Sequence, residues 1–188
     1  QPVATPVVRR MSVTNAGAEG TDPTAAGFKL GSINPTISST GRFVAFASLC
    51  DNLTTGDFIG QFKASDSNVA LDIFVRDRDS TASGTFDTVA ATTQIVSVNN
   101  FGYQTSGLLG VASTAANNIY PTMSSDGRFI ALPSDSENNG GLAFGSTNQI
   151  PLDSNASRDI FLFDRRTTTS PSPGVMPVVT ITSPGNAS

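Results

Sequence analysis

Residues 34–48 read NPTISSTGRFVAFAS, and the same pattern returns at residues 120–134 as YPTMSSDGRFIALPS. The Ser-Ser-x-Gly segment of each copy is typical of a tight turn, in which glycine supplies a positive φ between two short strands. A second block repeats downstream, since DSNVALDIFVRDR at 66–78 is echoed by DSNASRDIFLFDR at 153–165. Duplication at this spacing indicates two supersecondary units, each of which needs a neighbour to bury its apolar face.

The composition of the chain favours β structure. Hydrophobic residues make up 38 % of the 188 residues and charged residues only 14 %, while 17 glycines and 11 prolines interrupt the chain. No segment has the sustained 3.6-residue period of an amphipathic helix. The apolar run at 43–48 lacks clean alternation, which predicts a strand buried on both faces. We therefore predict an all-β fold.

Each unit is predicted to be an up-and-down antiparallel sheet, which is the arrangement of a β-propeller blade. The predicted strands are 33–38, 43–48, 72–78 and 92–98 in the first unit, and 119–124, 128–132, 158–164 and 177–182 in the second. An extra N-terminal strand is predicted at 7–13, because VVRRMSV resembles QIVSV at 94–98. The predicted fold is thus β-propeller-like, with two four-stranded antiparallel blades plus an extra N-terminal strand.

These elements divide the chain into five segments. They are an N-terminal strand and loop at 1–33, a first blade at 34–98, a connecting loop at 99–118, the first three strands of a second blade at 119–166, and a flexible linker with a C-terminal strand at 167–188. The run TTTSPSPG at 167–174 predicts the linker, because its Ser, Pro and Gly content is typical of connecting segments.

The repeated pattern, Pro-x-x-Ser-x-x-Gly-Arg-Phe-x-Ala and then Asp-Ile-Phe-x-x-Asp, resembles the TolB-type β-propeller repeat of bacterial periplasmic and surface proteins. The match covers residues 34–98 and 119–165. Its residues are Gly41, Arg42, Phe43, Ala45, Asp72, Phe74 and Asp77 in the first copy, and Gly127, Arg128, Phe129, Ala131, Asp159, Phe161 and Asp164 in the second. The resemblance implies a propeller fold, and propellers close rings of about four to eight blades. It implies no particular activity, because propellers host many unrelated functions.

Several functions are excluded by the residue types that are scarce. The chain has no histidine, which removes Ser-His-Asp and Cys-His triads, and no carboxylate pair stands out, so we predict that it is not an enzyme. A net charge of −4 with two lysines argues against a nucleic acid partner. No apolar run approaches the roughly 20 residues of a membrane-spanning helix, so no membrane span is predicted. Cys50 is the only cysteine, which excludes an intrachain disulfide.

The best candidate for a ligand site is a repeated Asp-x-Asn pattern followed by a later Asp. It comprises Asp66, Asn68 and Asp72 in the first unit, and Asp153, Asn155 and Asp159 in the second. Hard oxygen donors at this spacing suit Ca²⁺, which is the only cofactor that the sequence suggests. The alternative is structural, since Asp and Asn also close tight turns by accepting hydrogen bonds from nearby backbone amides.

Two repeats are too few to close a propeller, which predicts exposed sheet edges and apolar faces that invite association. We predict a structural subunit of a homopolymer, a filament or a ring, in which neighbouring copies complete partial blades through the strands at 7–13 and 177–182. The low lysine content and abundant Ser, Thr and Asn favour a secreted or cell-surface setting, with the periplasm as second choice. The alternative is a ligand-binding propeller segment of a larger bacterial surface protein, with recognition in the long loops 49–70 and 134–157.

Overall fold

The computed structural model describes residues 6–23, 30–54, 66, 71–97, 120–134 and 159–165. Within these ranges the chain forms seven strands and no helix, which confirms the all-β prediction. The strands are β1 (Ser32–Ile37), β2 (Phe43–Ser48), β3 (Asp72–Asp77), β4 (Thr92–Ile95), β5 (Thr122–Met123), β6 (Phe129–Ser134) and β7 (Asp159–Asp164). In the described part of the chain there is accordingly no helix long and apolar enough to cross a membrane.

The first sheet contains four strands in the order β1-β2-β3-β4, and every neighbouring pair is antiparallel. The pairing of β2 with β3 is continuous, from Phe43 opposite Asp77 to Ser48 opposite Asp72. The register of β1 shifts between Ile33 and Thr36, the two residues that flank Asn34 and Pro35. Proline has no backbone N–H to donate, so this irregularity lies where β1 forms an edge of the sheet.

The second sheet contains three described strands in the order β5-β6-β7, again antiparallel, and neither sheet closes on itself. β6 pairs with β7 along its whole length, whereas β5 reaches only Ile130 and Ala131. Pro133 therefore lies beyond the end of β5, where its missing N–H interrupts no described ladder bond. The predicted fourth strand at 177–182 lies outside the described residues.

The two sheets share one apolar core. The front face of the first sheet, as we name it, presents Phe43, Ala45, Ala47, Ile73 and Val75, all buried. The back face of the second sheet presents Ile130, Leu132, Phe161 and Phe163 to the same core. Successive side chains alternate across a strand, and the two faces of the second sheet are named after the repeat positions they share with the first. The back of the second sheet therefore packs on the front of the first, which makes a front-to-back stack of two similar sheets.

The opposite, back face of the first sheet has a second core, built from Val44, Phe46, Cys50, Leu53, Phe74 and Ile95. The rings of Phe46 and Phe74 stack with their centroids 6.0 Å apart. The N-terminal segment covers this core, with Met11 packed against it and Gly20 against the side chain of Cys50. Every residue of β2 and β3 is consequently buried, which confirms the prediction for 43–48.

The N-terminal segment itself corrects one prediction, because 7–13 does not form a strand. Val13 alone makes an isolated bridge, with Glu19, and Val7 and Val8 are exposed. A strand requires the edge of a partner strand, and no described strand lies beside residues 7–12 to supply one. The segment is instead tethered through its later residues, where Thr93 Oγ1 donates to Val13 O at 2.6 Å and Arg76 Nη1 donates to Thr14 O at 3.1 Å.

Candidate interaction surface

The two β-hairpin turns that the repeats encode have the same hydrogen bonds. In the first, Gly41 N donates to Ser38 O at 2.9 Å and Phe43 N donates to Ser38 Oγ at 3.1 Å. In the second, the corresponding donors are Gly127 N to Ser124 O at 2.8 Å and Phe129 N to Ser124 Oγ at 2.9 Å. Both glycines have φ values above +70°, a conformation that costs other residues energy.

A bidentate ion pair fastens each turn to the end of the third strand of its unit. Arg42 Nε and Nη2 donate to the two Asp77 carboxylate oxygens at 2.8 and 2.9 Å, and Arg128 makes the same pair with Asp164 at the same distances. Both guanidinium groups also lie over the ring of the following phenylalanine, Phe43 or Phe129. The repetition of these contacts indicates a structural role within each sheet.

A second arginine of each repeat, Arg78 or Arg165, behaves differently in the two units. Both donate to the turn glycine carbonyl, at 2.8 and 2.9 Å. Arg78 then remains within its own unit, where it pairs with Asp87. Arg165 crosses to the first sheet, and its guanidinium lies 4.0 Å from the centroid of Phe43. Burial between the sheets lowers the pKa of Arg165, Asp77 opposes this effect and the nearby Arg42 adds to it.

The turns of the two sheets also contact each other directly. Ser39 donates two hydrogen bonds to Ser125 O, one from its backbone N and one from its Oγ, both at 2.8 Å. Gly127 lies against the ring of Phe43 so closely that no side chain could be accommodated there. The second unit thus contacts the front face and the turn of the first unit through its backbone, its turn glycine and its second arginine.

Within the described ranges, no other sheet covers the front face of the second sheet. Ile73 and Val75 on the front face of the first sheet are 0 % and 1 % exposed, whereas their repeat counterparts Ile160 and Leu162 are 67 % and 42 % exposed. Ala131 and Pro133, which pair with Leu162 and Ile160, are half-buried on the same face. Exposed apolar side chains that lie side by side on one sheet face are typical of an interaction surface.

The predicted calcium ligands are only partly described. Asp66 is buried, and Asp72 is fully buried at the start of β3, where its Oδ1 accepts a hydrogen bond from Ser97 Oγ at 2.5 Å. Asp159 begins β7 opposite Ser134, and Asn68, Asp153 and Asn155 lie outside the described residues. No cluster of three or more acidic, cysteine or histidine side chains that could hold a metal occurs in the described ranges. The calcium site stays a prediction.

Comparison with known proteins identifies no relative of this chain. No protein-family model matches it, and neither the curated proteins nor the solved structures include a significant match.

Proposed function

We propose that this chain is a structural subunit of a secreted or cell-surface homopolymer, in which blade-like sheets of successive copies stack front to back. The stacking of the two sheets within one chain supports this proposal, because it shows how two such sheets pack face to face. In the assembly, the N-terminal segment on the back of one copy's first sheet would lie between that sheet and the front face of the neighbouring copy's second sheet. A front-to-back stack of similar antiparallel sheets is also how neighbouring blades pack in a β-propeller, which is the arrangement we propose for the assembled repeats.

The observation that carries the proposal is the open front face of the second sheet. The corresponding face of the first sheet is covered by a similar sheet, and residues of the same type at the same repeat positions remain uncovered in the second. Complete burial of one Ile or Leu side chain stabilises a complex by about 1.5–3 kcal/mol. The exposed pair Ile160 and Leu162 thus supplies a driving force for association with another copy.

The repeated polar groups support a structural role over a catalytic one. Arg42 and Arg128 are engaged with Asp77 and Asp164 in the bidentate pairs of the turns. Functional arginines and carboxylates that act on a substrate would instead face a cleft. The duplicated bonds give both sheets the same shape, which is what stacking of successive units requires.

Sedimentation velocity of the purified chain over a range of concentrations tests the proposal. The average mass should rise above 19.4 kDa with concentration, and negative-stain microscopy of the native material would distinguish filaments from rings. Ile160→Glu should weaken association at least tenfold, because it places a carboxylate in the contact. Val89→Glu is the matched control, since Val89 is a fully exposed apolar residue of the β3–β4 connection. A wild-type chain that stays monomeric at every concentration would exclude the homopolymer.

A further inference from the structure

In the first sheet, β4 pairs with the side of β3 that faces away from β2 and so completes the four-stranded unit. β4 pairs with β3 from Thr92 to Ile95, and the pairing is extended by Val96 N, which donates to Ile73 O at 2.7 Å. Ser97 then closes the end of the strand. Its Oγ accepts from Ile73 N at 3.1 Å and donates to Asp72 at 2.5 Å. The fourth strand is thus held by its backbone and by one buried serine.

The same edge of the second sheet has no such strand in the described part of the chain. β7 is the last strand in the order β5-β6-β7, and no described residue pairs with its far side. An edge of this kind exposes backbone N–H and C=O groups, which are a template for another extended segment. Asp159 and Ile160 begin β7 as Asp72 and Ile73 begin β3.

We infer that residues 7–12 of a second copy of this chain form the fourth strand of the second sheet, antiparallel to β7. This inference rests on the proposed self-association and names the segment that joins the copies. Residues 7–15 read VVRRMSVTN, and residues 92–100 of the β4 region read TTQIVSVNN, so Ser12 corresponds to Ser97. Residues 7–12 lie outside every described strand, and residues 6–10 are exposed. An extended peptide added to a sheet edge is bound mainly by main-chain hydrogen bonds.

The net charges of the two segments are of opposite sign. The segment VVRRMS carries two arginines and no acid, whereas β7, DIFLFD, carries two aspartates and no base. Arg10 is paired with Glu19 at the surface of its own chain and Asp164 with Arg128, so docking exchanges the exposed Arg10–Glu19 pair for contacts with the new strand. Transfer of the β3–β4 register to the new pair places Val7 opposite Asp164, Val8 opposite Phe163, Arg9 opposite Leu162 and Arg10 opposite Phe161. Arg10 then takes the place of the buried Ile95, where its aliphatic stem covers the ring while the guanidinium extends to solvent.

The inferred contact is continuous with the stack already present in each chain. The N-terminal segment is anchored on the back face of its own first sheet from Met11 onward, by the packing of Met11 and by the bond from Thr93 Oγ1 to Val13 O, so Met11 and Ser12 lie where the donated strand leaves its own chain. A copy that donates residues 7–12 therefore brings its first sheet next to the open front face, where Ile160 and Leu162 are exposed. One docking event then covers both the edge and the face.

Engineered disulfides test the inferred register in the full-length chain carrying Cys50→Ala. Facing residues on paired strands are close enough for a disulfide, whereas a shift by one residue turns the side chains to opposite faces. Arg9→Cys with Leu162→Cys should give an oxidised ladder of dimers and higher multimers on a denaturing gel. Val8→Cys with Leu162→Cys is the shifted control and should crosslink at least tenfold more slowly.

A proline pair provides a second measurement that needs no oxidation. Thr93 N donates to Asn15 Oδ1 at 2.6 Å, so this N–H is not part of the ladder with β3. Its counterpart Val8 should tolerate proline, while Arg9→Pro removes a ladder donor and should weaken association at least tenfold. Far-UV circular dichroism checks that both variants fold like the wild type.

Each outcome has a defined meaning. The chain could still associate when Arg9→Cys with Leu162→Cys gives no crosslinked multimers and Arg9→Pro associates as strongly as the wild type. That result overturns the inferred segment and leaves the homopolymer intact. A monomer at every concentration overturns both. A crosslink within one chain between Leu162→Cys and Thr180→Cys, the pair that the same register gives if VVTITS at 178–183 takes the place of TTQIVS at 92–97, also overturns the inference.

Discussion

Gly41 and Gly127 occupy the same position of the same turn and differ only in what lies beside them. Their φ values are +72° and +74°, so both turns need a residue that tolerates the left-handed region. The nearest atom to a Cβ at Gly41 would be Arg78 Nη1 at 3.7 Å, an ordinary contact. A Cβ at Gly127 would lie 2.8 Å from Phe43 Cγ and closer still to Cδ2. Gly127 therefore serves the turn and the contact between the sheets.

Gly127→Ala should destabilise the chain more than Gly41→Ala. The positive φ costs each variant about 1–2 kcal/mol, and overlap with Phe43 adds about 1–3 kcal/mol in Gly127→Ala alone. Phe43 cannot move away easily, because Arg42 and Arg165 lie over its ring. Urea denaturation followed by far-UV circular dichroism gives the two free energies of unfolding. Equal losses would show that the contact of Gly127 with the first sheet is unimportant.

At the scale of elements, the connection between β3 and β4 is held by two aspartates. Asp79 accepts hydrogen bonds from Ser83 N at 2.9 Å and Gly84 N at 2.7 Å. Burial alone would raise the pKa of Asp79, but these donors outweigh it and hold the pKa below its usual value. Asp87 forms a bidentate pair with Arg78, whose guanidinium lies 4.7 Å from the centroid of Phe86. The connection is thus ordered by polar contacts rather than by an apolar core.

Asp87→Asn should reduce stability at neutral pH but not in acid. The hydrogen bond from Arg78 lowers the pKa of Asp87 against the opposing effect of burial. The stabilisation is therefore complete above the unfolded-state pKa of about 3.9 and is lost as the pH falls through the lower folded-state value. We expect a loss of about 1 kcal/mol at pH 7 that shrinks towards zero near pH 2. Asn tolerates the φ of +60° at this position, so the backbone should be unaffected.

Urea denaturation at pH 7, 4 and 2 measures this dependence. The control is the same substitution in an Arg78→Gln background, where the partner is already absent and the effect should be much smaller. A wild-type advantage that stays constant from pH 7 to pH 2 would contradict the assigned ion pair.

For the whole molecule, the described residues form three layers: the N-terminal segment, the first sheet and the second sheet. The back core lies between the first two layers and the shared front core between the last two. Because β2 and β3 contribute to both cores, a disturbance in one core should reach the other. The two sheets are therefore expected to unfold as one cooperative unit.

Ile130→Ala should accelerate chemical labelling of Cys50 under native conditions. Ile130 is fully buried in the second sheet, and its truncation should cost about 2–5 kcal/mol. Cys50 is buried in the back core on the far side of the first sheet, so it reacts only when that core opens. The matched control Ile160→Ala, at an exposed position, should change stability by less than about 0.5 kcal/mol in a dilute monomer. Unchanged labelling in a destabilised Ile130→Ala chain would mean that the sheets open separately.

The repeated local pattern was enough to predict the strands of the two described sheets and their turns, whereas the strand predicted at 7–13 is wrong and the one at 177–182 lies outside the described residues. β2 has the predicted bounds, β3 and β4 end one and three residues short of them, and the all-β prediction is confirmed. The repeated Asp and Arg residues, which the pattern marked at matching positions, bond to each other in both sheets. Turn chemistry and strand periodicity depend on neighbours within a few residues, which is why they can be read from the chain. The crossing of Arg165 to Phe43 was missed, although the matching position of Arg78 marked it as a repeated residue.

By itself, the sequence determined two similar antiparallel units with the same turns and the same Arg–Asp ion pairs. Only the tertiary structure decided that Ile73 is buried while its counterpart Ile160 is exposed, and that residues 7–13 make no strand within the chain. Both outcomes depend on which surface lies opposite, and two similar segments acquire different environments when only one of them has a neighbour. Burial and strand pairing are properties of contacts between distant segments, so the repeat encodes the faces and the edges, and the packing decides which of them are filled.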